Sequence, residues 1–273
     1  MLGDATVGTG CEVTSVPAEA LLYREVPPPV DLATHIACLW TQTVRTDEPY
    51  VHRVLPDGCI DIIWYAGSLH VAGPDTGPFL ARLVPGLRIA AVRFRPGMAP
   101  GVLGIPADVL RDDRVALAEI WGCDADRLSD QIAASDQRTA TRILAREVGR
   151  RLRAASGPPD PIATAVGGLV RRRLDVRQFA ERIGLSERQL RRRSFAAFGY
   201  GPKTLQRILR FRRAVALARR GVPFADVAVH AGYADQPHLA REVKQLAGVS
   251  LGELVGADRA SNALPSGHLR RAA

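Results

Sequence analysis

The 273-residue chain has few of the features that mark metalloproteins, disulfide scaffolds and membrane proteins. Its cysteines are far apart and form no C-x-x-C pair, which argues against a disulfide scaffold or a zinc cluster. They are Cys11, Cys38, Cys59 and Cys123. No apolar run approaches the length of a membrane span, and no basic-then-apolar leader precedes the first domain. We therefore expect a cytoplasmic protein with no cofactor, no metal and no membrane contact.

Acidic residues are scarce in one half of the chain only. Residues 161–273 contain 21 Lys and Arg against 8 Asp and Glu, a net charge of +13, whereas residues 1–160 contain 16 against 20, a net charge of −4. A basic segment of this size is typical of a domain that binds phosphates. The net charge of +9 for the whole chain hides this division.

The basic half contains two similar helix-turn-helix patterns, at residues 179–190 and 227–239. Their turn glycines, Gly184 and Gly232, are 48 residues apart. In the first, Ser186 and Gln189 form a capping box that begins a new helix, and in the second Asp235 is the capping residue. The alternative is a helical bundle whose basic residues are merely solvated, but the repeated turn signals favour DNA binding.

The second helix of such a motif enters the major groove, and its first few side chains reach the base edges. The side chains that we expect to contact DNA are arginines, amides and other donors on these two helices, with one lysine on the segment between them. They are Arg188, Gln189, Arg191, Arg192, Lys203, Gln236, His238, Arg241 and Lys244. Residues 202–220 predict one long connecting helix that fixes the distance between the two motifs, with apolar residues inward and its arginines, among them Arg207, Arg210 and Arg212, largely outward.

This segment resembles the DNA-binding domain of the AraC/XylS family of bacterial transcription regulators over residues 162–255. The residues that carry the resemblance are Ala180, Gly184, Leu185, Ser186, Leu190, Gly199, Pro202, Ala228, Gly232, Tyr233, Asp235, Gln236, Leu239, Gly248, Val249 and Ser250. The resemblance implies seven helices, and it implies that Arg188, Arg191, Arg192, Gln236, His238 and Arg241 face DNA. The chain has Ser194 and Val243 where the family usually has Phe, and Leu251 where it usually has Pro.

The first half predicts a small antiparallel sheet system followed by helices. Runs with strand character occur at residues 36–43, 51–55, 59–65, 69–72 and 87–94, and residues 107–153 have helical spacing. The motifs L-P-D-G-C-I-D at residues 55–61 and R-F-R-P-G at 93–97 resemble an uncharacterised cupin-like sensor subtype of the same family. The fold class is therefore α+β: a β-rich, cupin-like domain with trailing helices, and an all-α domain with two helix-turn-helix motifs.

The predicted domains are a sensor or dimerisation domain at 1–153, β-rich to about residue 100, a linker at 154–160, a DNA-binding domain at 161–256 and a flexible basic tail at 257–273. Trp40, Asp61, Trp64 and Phe94 are candidates for an apolar ligand pocket in the first domain. The competing interpretation is that the aromatic residues fill the core. Asp57, in Pro-Asp-Gly, is typical of a tight turn.

The sequence favours a sequence-specific transcription regulator that binds double-stranded promoter DNA and is no enzyme. Its first domain would gate that activity through a small-molecule effector, through homodimerisation or through both, and RNA polymerase is a further candidate partner. Two alternatives stay open at this point. One is a DNA-binding domain fused to an enzymatic domain that uses a metal or accepts a methyl group, and the other is an architectural protein that binds DNA without sequence preference.

Overall fold

The computed structural model describes residues 21–155, 159–171 and 175–261. The first part of the chain contains all the strands of the described residues. They are β1 (Leu21–Val26), β2 (Ile36–Val44), β3 (Tyr50–Val54), β4 (Asp61–Tyr65), β5 (Ser68–Ala72), β6 (Phe79–Leu83), β7 (Arg88–Phe94) and β8 (Arg114–Ala116). Six of them form one antiparallel sheet in the order β1-β2-β7-β4-β5-β8, and β3 and β6 pair in a second sheet.

Alternation of side chains along the strands divides the core of this domain into two layers. On one face of the large sheet, Trp40 and Ile89 join Tyr50 and Leu83 of the small sheet in a core that both sheets share. On the other face, Ile62, Val92 and Phe94 pack against helices. This arrangement of two sheets with helices on one face agrees with the α+β architecture that the sequence predicts.

Helices follow the sheets in the first domain, and the described residues of the second domain form helices without strands. The first domain has α1 (Pro100–Leu103), α2 (Leu117–Trp121), α3 (Cys123–Ala133) and α4 (Gln137–Ala154). The second has α5 (Pro161–Arg171), α6 (Val176–Arg182), α7 (Glu187–Phe198), α8 (Pro202–Arg219), α9 (Phe224–Ala231), α10 (Gln236–Ala247) and α11 (Leu251–Ser261). Short 3-10 helices lie at Val30–Leu32 and Ala107–Leu110. None of the helices within the described ranges is long and apolar enough to cross a membrane.

The five predicted strands are confirmed to within two residues, but three others were missed. The missed strands are β1, β6 and β8. The first two have mixed polar and apolar side chains and lie at exposed edges, so they lack the alternation that signals a strand. Strand β8 falls at the start of the region that we predicted to be helical, where three residues pair with β5. Pairing with a neighbouring strand, not local propensity, decides its conformation.

Two helices extend past the domain boundaries that the sequence predicts. Helix α4 continues to Ala154, one residue into the predicted linker, and helix α11 continues to Ser261, four residues beyond the predicted start of the tail at 257. The rest of the predicted tail, residues 262–273, lies outside the described residues, as do residues 1–20 and linker residues 156–158.

The second domain packs around the long connecting helix α8, as predicted. Phe211 and Ile208 of α8 are fully buried in a core to which the other helices of the domain contribute. At the position where the related family usually has Phe, the buried Ser194 donates a hydrogen bond to the carbonyl oxygen of Tyr200 at 2.8 Å. The hydroxyl therefore has a partner, and the departure from the family pattern costs no unsatisfied polar group.

Candidate nucleic-acid interface and its contact with the first domain

The first helix-turn-helix is formed by α6 and α7. Helix α6 ends in a turn at Gly184, whose φ of +68° favours glycine. Ser186 caps α7, because its Oγ accepts from the backbone N–H of Gln189 at 3.2 Å while Gln189 Oε1 accepts from the Ser186 N–H at 2.9 Å. We predicted both a cap and a DNA contact for Gln189. The structure commits its carboxamide oxygen to the cap.

Helix α7 buries one face and exposes a row of arginines on the other. Leu190 is fully buried in the domain core, whereas Arg188, Arg191 and Arg192 are exposed. The Arg191 guanidinium lies 5.9 Å from the centre of the Phe195 ring, which limits the directions in which it can extend. Arg188 and Arg192 make no hydrogen bond or ion pair with a described residue, so their guanidiniums are available to an external acceptor.

The second helix-turn-helix is formed by α9 and α10. Gly232 has a φ of +88° at the turn, and Asp235 Oδ1 accepts from the His238 N–H at 2.6 Å, which caps α10. The side chains of Gln236, Arg241 and Lys244 are exposed. The half-buried His238 ring packs edge-on against Tyr233 with ring centres 5.3 Å apart. This packing leaves His238 less free than its exposed neighbours.

Two arginines of the connecting helix hold the second recognition helix in place. Arg207 Nε donates to Glu242 Oε1 at 2.9 Å, and Arg210 Nη2 donates to Glu242 Oε2 at 2.7 Å. Burial alone would raise the pKa of Glu242, but the hydrogen bonds from the two guanidiniums outweigh it and lower the pKa. We had predicted that Arg207 and Arg210 point largely into solvent. They are instead half-buried because α10 supplies a carboxylate between them.

The remaining predicted contact, Lys203, is exposed at the beginning of α8. It follows Pro202, whose ring suits the first turn of a helix because that turn leaves its backbone N–H groups unpaired. A cation at a helix beginning is unfavourable for the helix itself. Lys203 therefore does not stabilise α8, and its exposed ammonium group is available to bind a phosphate.

The candidate pocket residues of the first domain lie on opposite faces of the large sheet. Trp40 and Asp61 meet on the face shared with the small sheet, where Trp40 Nε1 donates to Asp61 Oδ2 at 3.0 Å. Phe94 is fully buried on the other face, and Trp64 Nε1 donates to Ser129 Oγ of α3 there at 3.1 Å. The four residues do not line one pocket, because Asp61 and Trp64 are three residues apart in a strand of period two.

Arg93 joins two aspartates next to Trp40. Its guanidinium donates to Asp61 at 3.0 to 3.2 Å, and it lies 3.9 Å from a carboxylate oxygen of Asp57. Burial would raise the pKa of Asp57, but the charges of Arg93 and of Arg212 lower it. We call Trp40, Asp57, Asp61 and Arg93 the Arg93 cluster. Sequence analysis identified Asp61 but missed Arg93, although its motif R-F-R-P-G had been singled out.

The loop at residues 55–59, which we call the docking loop, contacts the second domain. Arg212 Nη1 of α8 donates to the carbonyl oxygen of Asp57 at 2.8 Å, and Leu55 packs against the core of the second domain. A Cβ built on Gly58 would lie 3.3 Å from the hydroxyl of the buried Tyr200. Asp57 therefore places its side-chain carboxylate in the Arg93 cluster and its backbone carbonyl against the connecting helix.

The first domain also contacts the carboxyl ends of both recognition helices. At the end of α7, Arg111 Nη1 donates to the carbonyl oxygen of Gly199 at 3.3 Å, and a Cβ on Gly199 would come within 2.5 Å of Pro74. At the end of α10, Arg53 Nη1 donates to the carbonyl oxygen of Ala247 at 2.9 Å. The carbonyl of Ala247, the last residue of α10, is one of the groups that a helix leaves unpaired at its end, and the carbonyl of Gly199 belongs to the residue that follows α7. Arginines of the first domain complete both helices.

Within the described part of the chain, no group of three or more His, Cys, Asp or Glu side chains is close enough to hold a metal ion. The histidines of the first domain, His35, His52 and His70, lie on separate elements: just before β2, in β3 and in β5. His70 stacks on Tyr65 with ring centres 4.6 Å apart, and the ring of His52 meets Tyr50 edge-on.

Comparison with known proteins matches two family models to the two domains. Residues 179–256 match the family described as helix-turn-helix domain, which is of the AraC type, and residues 24–116 match a domain of unknown function, DUF6597. No curated protein matches the chain.

Among solved structures, the chain is similar to ToxT from Vibrio cholerae. One ToxT structure aligns with a TM-score of 0.48 at 11% identity over 80% of this chain and 98% of that one. A second, from Vibrio cholerae O395, gives 0.45 at 9% identity over 88% and 98%. A third, bound to a methylnaphthalenyl-butenoic acid, gives 0.45 at 11% identity over 80% and 97%. At these values the similarity does not bear on function.

Proposed function

The chain is a DNA-binding transcription regulator with an AraC-type helix-turn-helix domain, and from that premise we propose that its first domain gates the DNA-binding domain by holding the two recognition helices. Two interdomain hydrogen bonds carry this proposal. Arg53 donates to the carbonyl oxygen of Ala247 at the end of α10, and Arg111 donates to the carbonyl oxygen of Gly199, the residue after α7. A change in the first domain would alter the placement of both helices at once.

The exposed arginines supply the proposed base and phosphate contacts. Arginine can donate two parallel hydrogen bonds to the O6 and N7 atoms of guanine, and each such pair is worth about 1–3 kcal/mol of discrimination against a wrong base. Arg188 and Arg192 in α7 and Arg241 in α10 are exposed and engaged by no described residue. We assign them to DNA, with Arg191, Gln236, Lys203 and Lys244 as further contacts and with Gln189 and His238 mainly positioning their own helices.

Replacing Arg188 or Arg241 by alanine tests this assignment. Each variant is expected to lose about 1–3 kcal/mol of discrimination between the specific site and random DNA, because a base contact disappears while the fold stays intact. Competition binding with labelled specific duplex and unlabelled random duplex measures it. Arg182→Ala, an exposed arginine on α6, the first helix of the motif, is the matched control. If Arg182→Ala reduces discrimination as much as Arg188→Ala, the reading role assigned to α7 is wrong.

Replacing Arg212 by glutamine tests the gate. The variant removes the charged donor to the Asp57 carbonyl, and hydrogen bonds to charged groups contribute about 1.5–3 kcal/mol. We expect the docking loop to open at least tenfold more often, measured by amide hydrogen exchange at residues 55–59 in the full chain. We also expect the affinity for the specific DNA site to change by several-fold, since the gate restrains the connecting helix.

Tyr200→Phe is the control for that experiment. Its buried hydroxyl has no hydrogen-bond partner among the described residues, so the variant removes a group next to the docking loop without removing a contact. Exchange at the loop and affinity for DNA should both stay within twofold of the wild type. Faster exchange in Arg212→Gln with unchanged affinity for DNA would show that the domains dock but that docking does not gate.

We further propose that the protein acts in the cytoplasm, has no catalytic activity of its own and responds to a small-molecule effector. RNA polymerase and a second copy of the chain are further proposed partners. Two helix-turn-helix motifs in one chain can span two successive major grooves, so one copy suffices for specific binding. Selection of genomic DNA fragments by the full chain should enrich a bipartite motif with half-sites about 10 bp apart. Enrichment of no motif would instead indicate binding to DNA without sequence preference.

A further inference from the structure

A groove with a volume of about 480 Å³ lies on the outside of the first domain, between α4 and the segment that leads into β2. Its floor is apolar. The side chains of Leu32 and Leu39 are buried there, and Ile143 of α4 lines the wall. A Cβ built on Gly149 would lie 3.3 Å from Arg153 Nη1 and 3.4 Å from the Leu32 side chain, so the Arg153 guanidinium and Leu32 both lie next to this glycine. Volumes of 300–1,000 Å³ with mainly apolar linings are typical of small-molecule sites.

Three arginines of α4 line the same groove. Arg146 and Arg153 follow Arg142 by 4 and 11 positions. This spacing places the three side chains within about 40° of one another around the helix and over about 16 Å along it. All three are exposed, and none makes an ion pair or hydrogen bond with a residue in the described ranges. The only acidic residue in the lining is Asp31. The groove therefore carries an excess of two positive charges.

Two other arginines of α4, Arg150 and Arg151, have structural contacts. Arg150 and Arg151 both donate to Glu147, at 2.6 to 2.8 Å, and the Arg151 guanidinium also lies 3.6 Å from the centre of the Trp121 ring. These contacts tie α4 to itself and to α2. Arg142 and Arg146 have no comparable contact, whereas Arg153 lies in the last turn of α4, where a cation stabilises the helix.

We infer that this groove binds a small organic anion with an apolar body, such as a hydrophobic carboxylate. The apolar floor would take the body of the ligand, and the guanidiniums would bind its carboxylate with paired hydrogen bonds. A second copy of the chain fits the groove less well, because a two-fold contact through α4 would bring like-charged arginines together. The assignment of this ligand as the effector rests on the proposed function, but its binding to the groove does not.

The groove is connected to the strands of the Arg93 cluster. Leu39 in its floor precedes Trp40 in β2, so the two side chains lie on opposite faces of the same strand. At the beginning of α4, Gln137 Nε2 donates to the carbonyl oxygens of Gln42 in β2 and Ile89 in β7. A ligand in the groove would therefore contact a helix that is hydrogen-bonded to the strands of Trp40 and Arg93, two members of the cluster.

The test measures binding of 8-anilinonaphthalene-1-sulfonate, a fluorescent organic anion, to the full chain without DNA. The double variant Arg142→Gln/Arg146→Gln should weaken its Kd at least tenfold. Arg138→Gln is the matched control, because Arg138 is an exposed arginine of the same helix that does not line the groove. It should change the Kd less than twofold. Equal Kd values for wild type and double variant, or equal losses in the two variants, would overturn the inference.

Displacement of the probe then identifies the ligand class. We expect 4-phenylbutyrate to displace it at least tenfold better than 4-phenylbutanol, which has the same apolar body without the charge. Inorganic phosphate or duplex DNA that displaces it as well as 4-phenylbutyrate would reduce the groove to a general anion surface and overturn the inference. Specific DNA binding by the same double variant is measured separately. If the double variant loses probe binding but still binds its specific DNA site, the groove has been disabled without loss of the proposed DNA-binding function. The two functions can then fail separately.

Discussion

An Arg93→Ala variant is expected to lose about 3–5 kcal/mol of unfolding free energy, because it leaves the buried Asp61 carboxylate without its cationic partner. The Asp61 side chain is only 8% exposed and accepts hydrogen bonds from Arg93 and Trp40 alone among the described residues. The indole N–H by itself cannot compensate the charge. Asp57 loses a nearby cation as well, so the docking loop should also become more mobile. Urea unfolding followed by circular dichroism measures the loss.

Arg88→Ala is the matched control for this variant. Arg88 lies on the same strand, is exposed, and pairs with no described side chain, so its replacement should change stability by less than about 0.5 kcal/mol. The double variant Arg93→Met/Asp61→Leu should recover much of the loss, since replacing a buried ion pair by apolar residues is often neutral. If Arg93→Ala were as stable as Arg88→Ala, the cluster would contribute no net stability.

A Glu242→Ala variant is expected to lose about 1–3 kcal/mol of stability, a value between those of buried and of exposed ion pairs. It leaves Arg207 and Arg210 facing each other without the carboxylate that separates them. Because these contacts fix α10 relative to α8, we also expect at least a tenfold loss of affinity for the bipartite site. A single half-site that binds through α7 should be affected much less. Thermal unfolding and binding to full and half sites measure the two effects.

Glu181→Ala provides the control, because Glu181 pairs with Arg177 on the exposed surface of α6, where such pairs contribute about 0.3–0.5 kcal/mol. The dependence on pH gives a second check. The pKa of Glu242 is lower in the folded state, so its contribution is complete above the unfolded value of about 4.3 and is lost as pH falls through the folded pKa. The stability difference between wild type and Glu242→Gln should shrink in that range. A difference independent of pH would show that charge is not its cause.

Local signals predicted most of the second domain. Capping residues, turn glycines and helical spacing act over three to eight residues, so Ser186, Gly184 and their counterparts in the second motif identified both helix-turn-helix units. They could not show that Glu242 lies between Arg207 and Arg210, because those residues are more than 30 positions apart. Arginines on a predicted helix are usually solvated, and only the approach of α10 makes two of them structural.

In the first domain the sequence predicted five strands and missed β1 and β6, which lack clear alternation, and β8, whose pairing with β5 decides its conformation. It proposed one pocket for Trp40, Asp61, Trp64 and Phe94, which the register divides between two faces. A shift of one residue in the register of a strand moves each side chain to the opposite face of the sheet. Strand bounds predicted from composition are not accurate to one residue.

By itself, then, the sequence determined the two-domain division, the basic character of the second domain and the pair of helix-turn-helix motifs, because charge, caps and periodicity are local properties. Only the tertiary structure decided that the docking loop binds the connecting helix, that Arg53 and Arg111 complete both recognition helices, and that Arg93 joins two aspartates. Each of those contacts joins residues 32 to 194 positions apart. Which distant groups meet is set by how the cores of the two domains pack, and no local pattern encodes it.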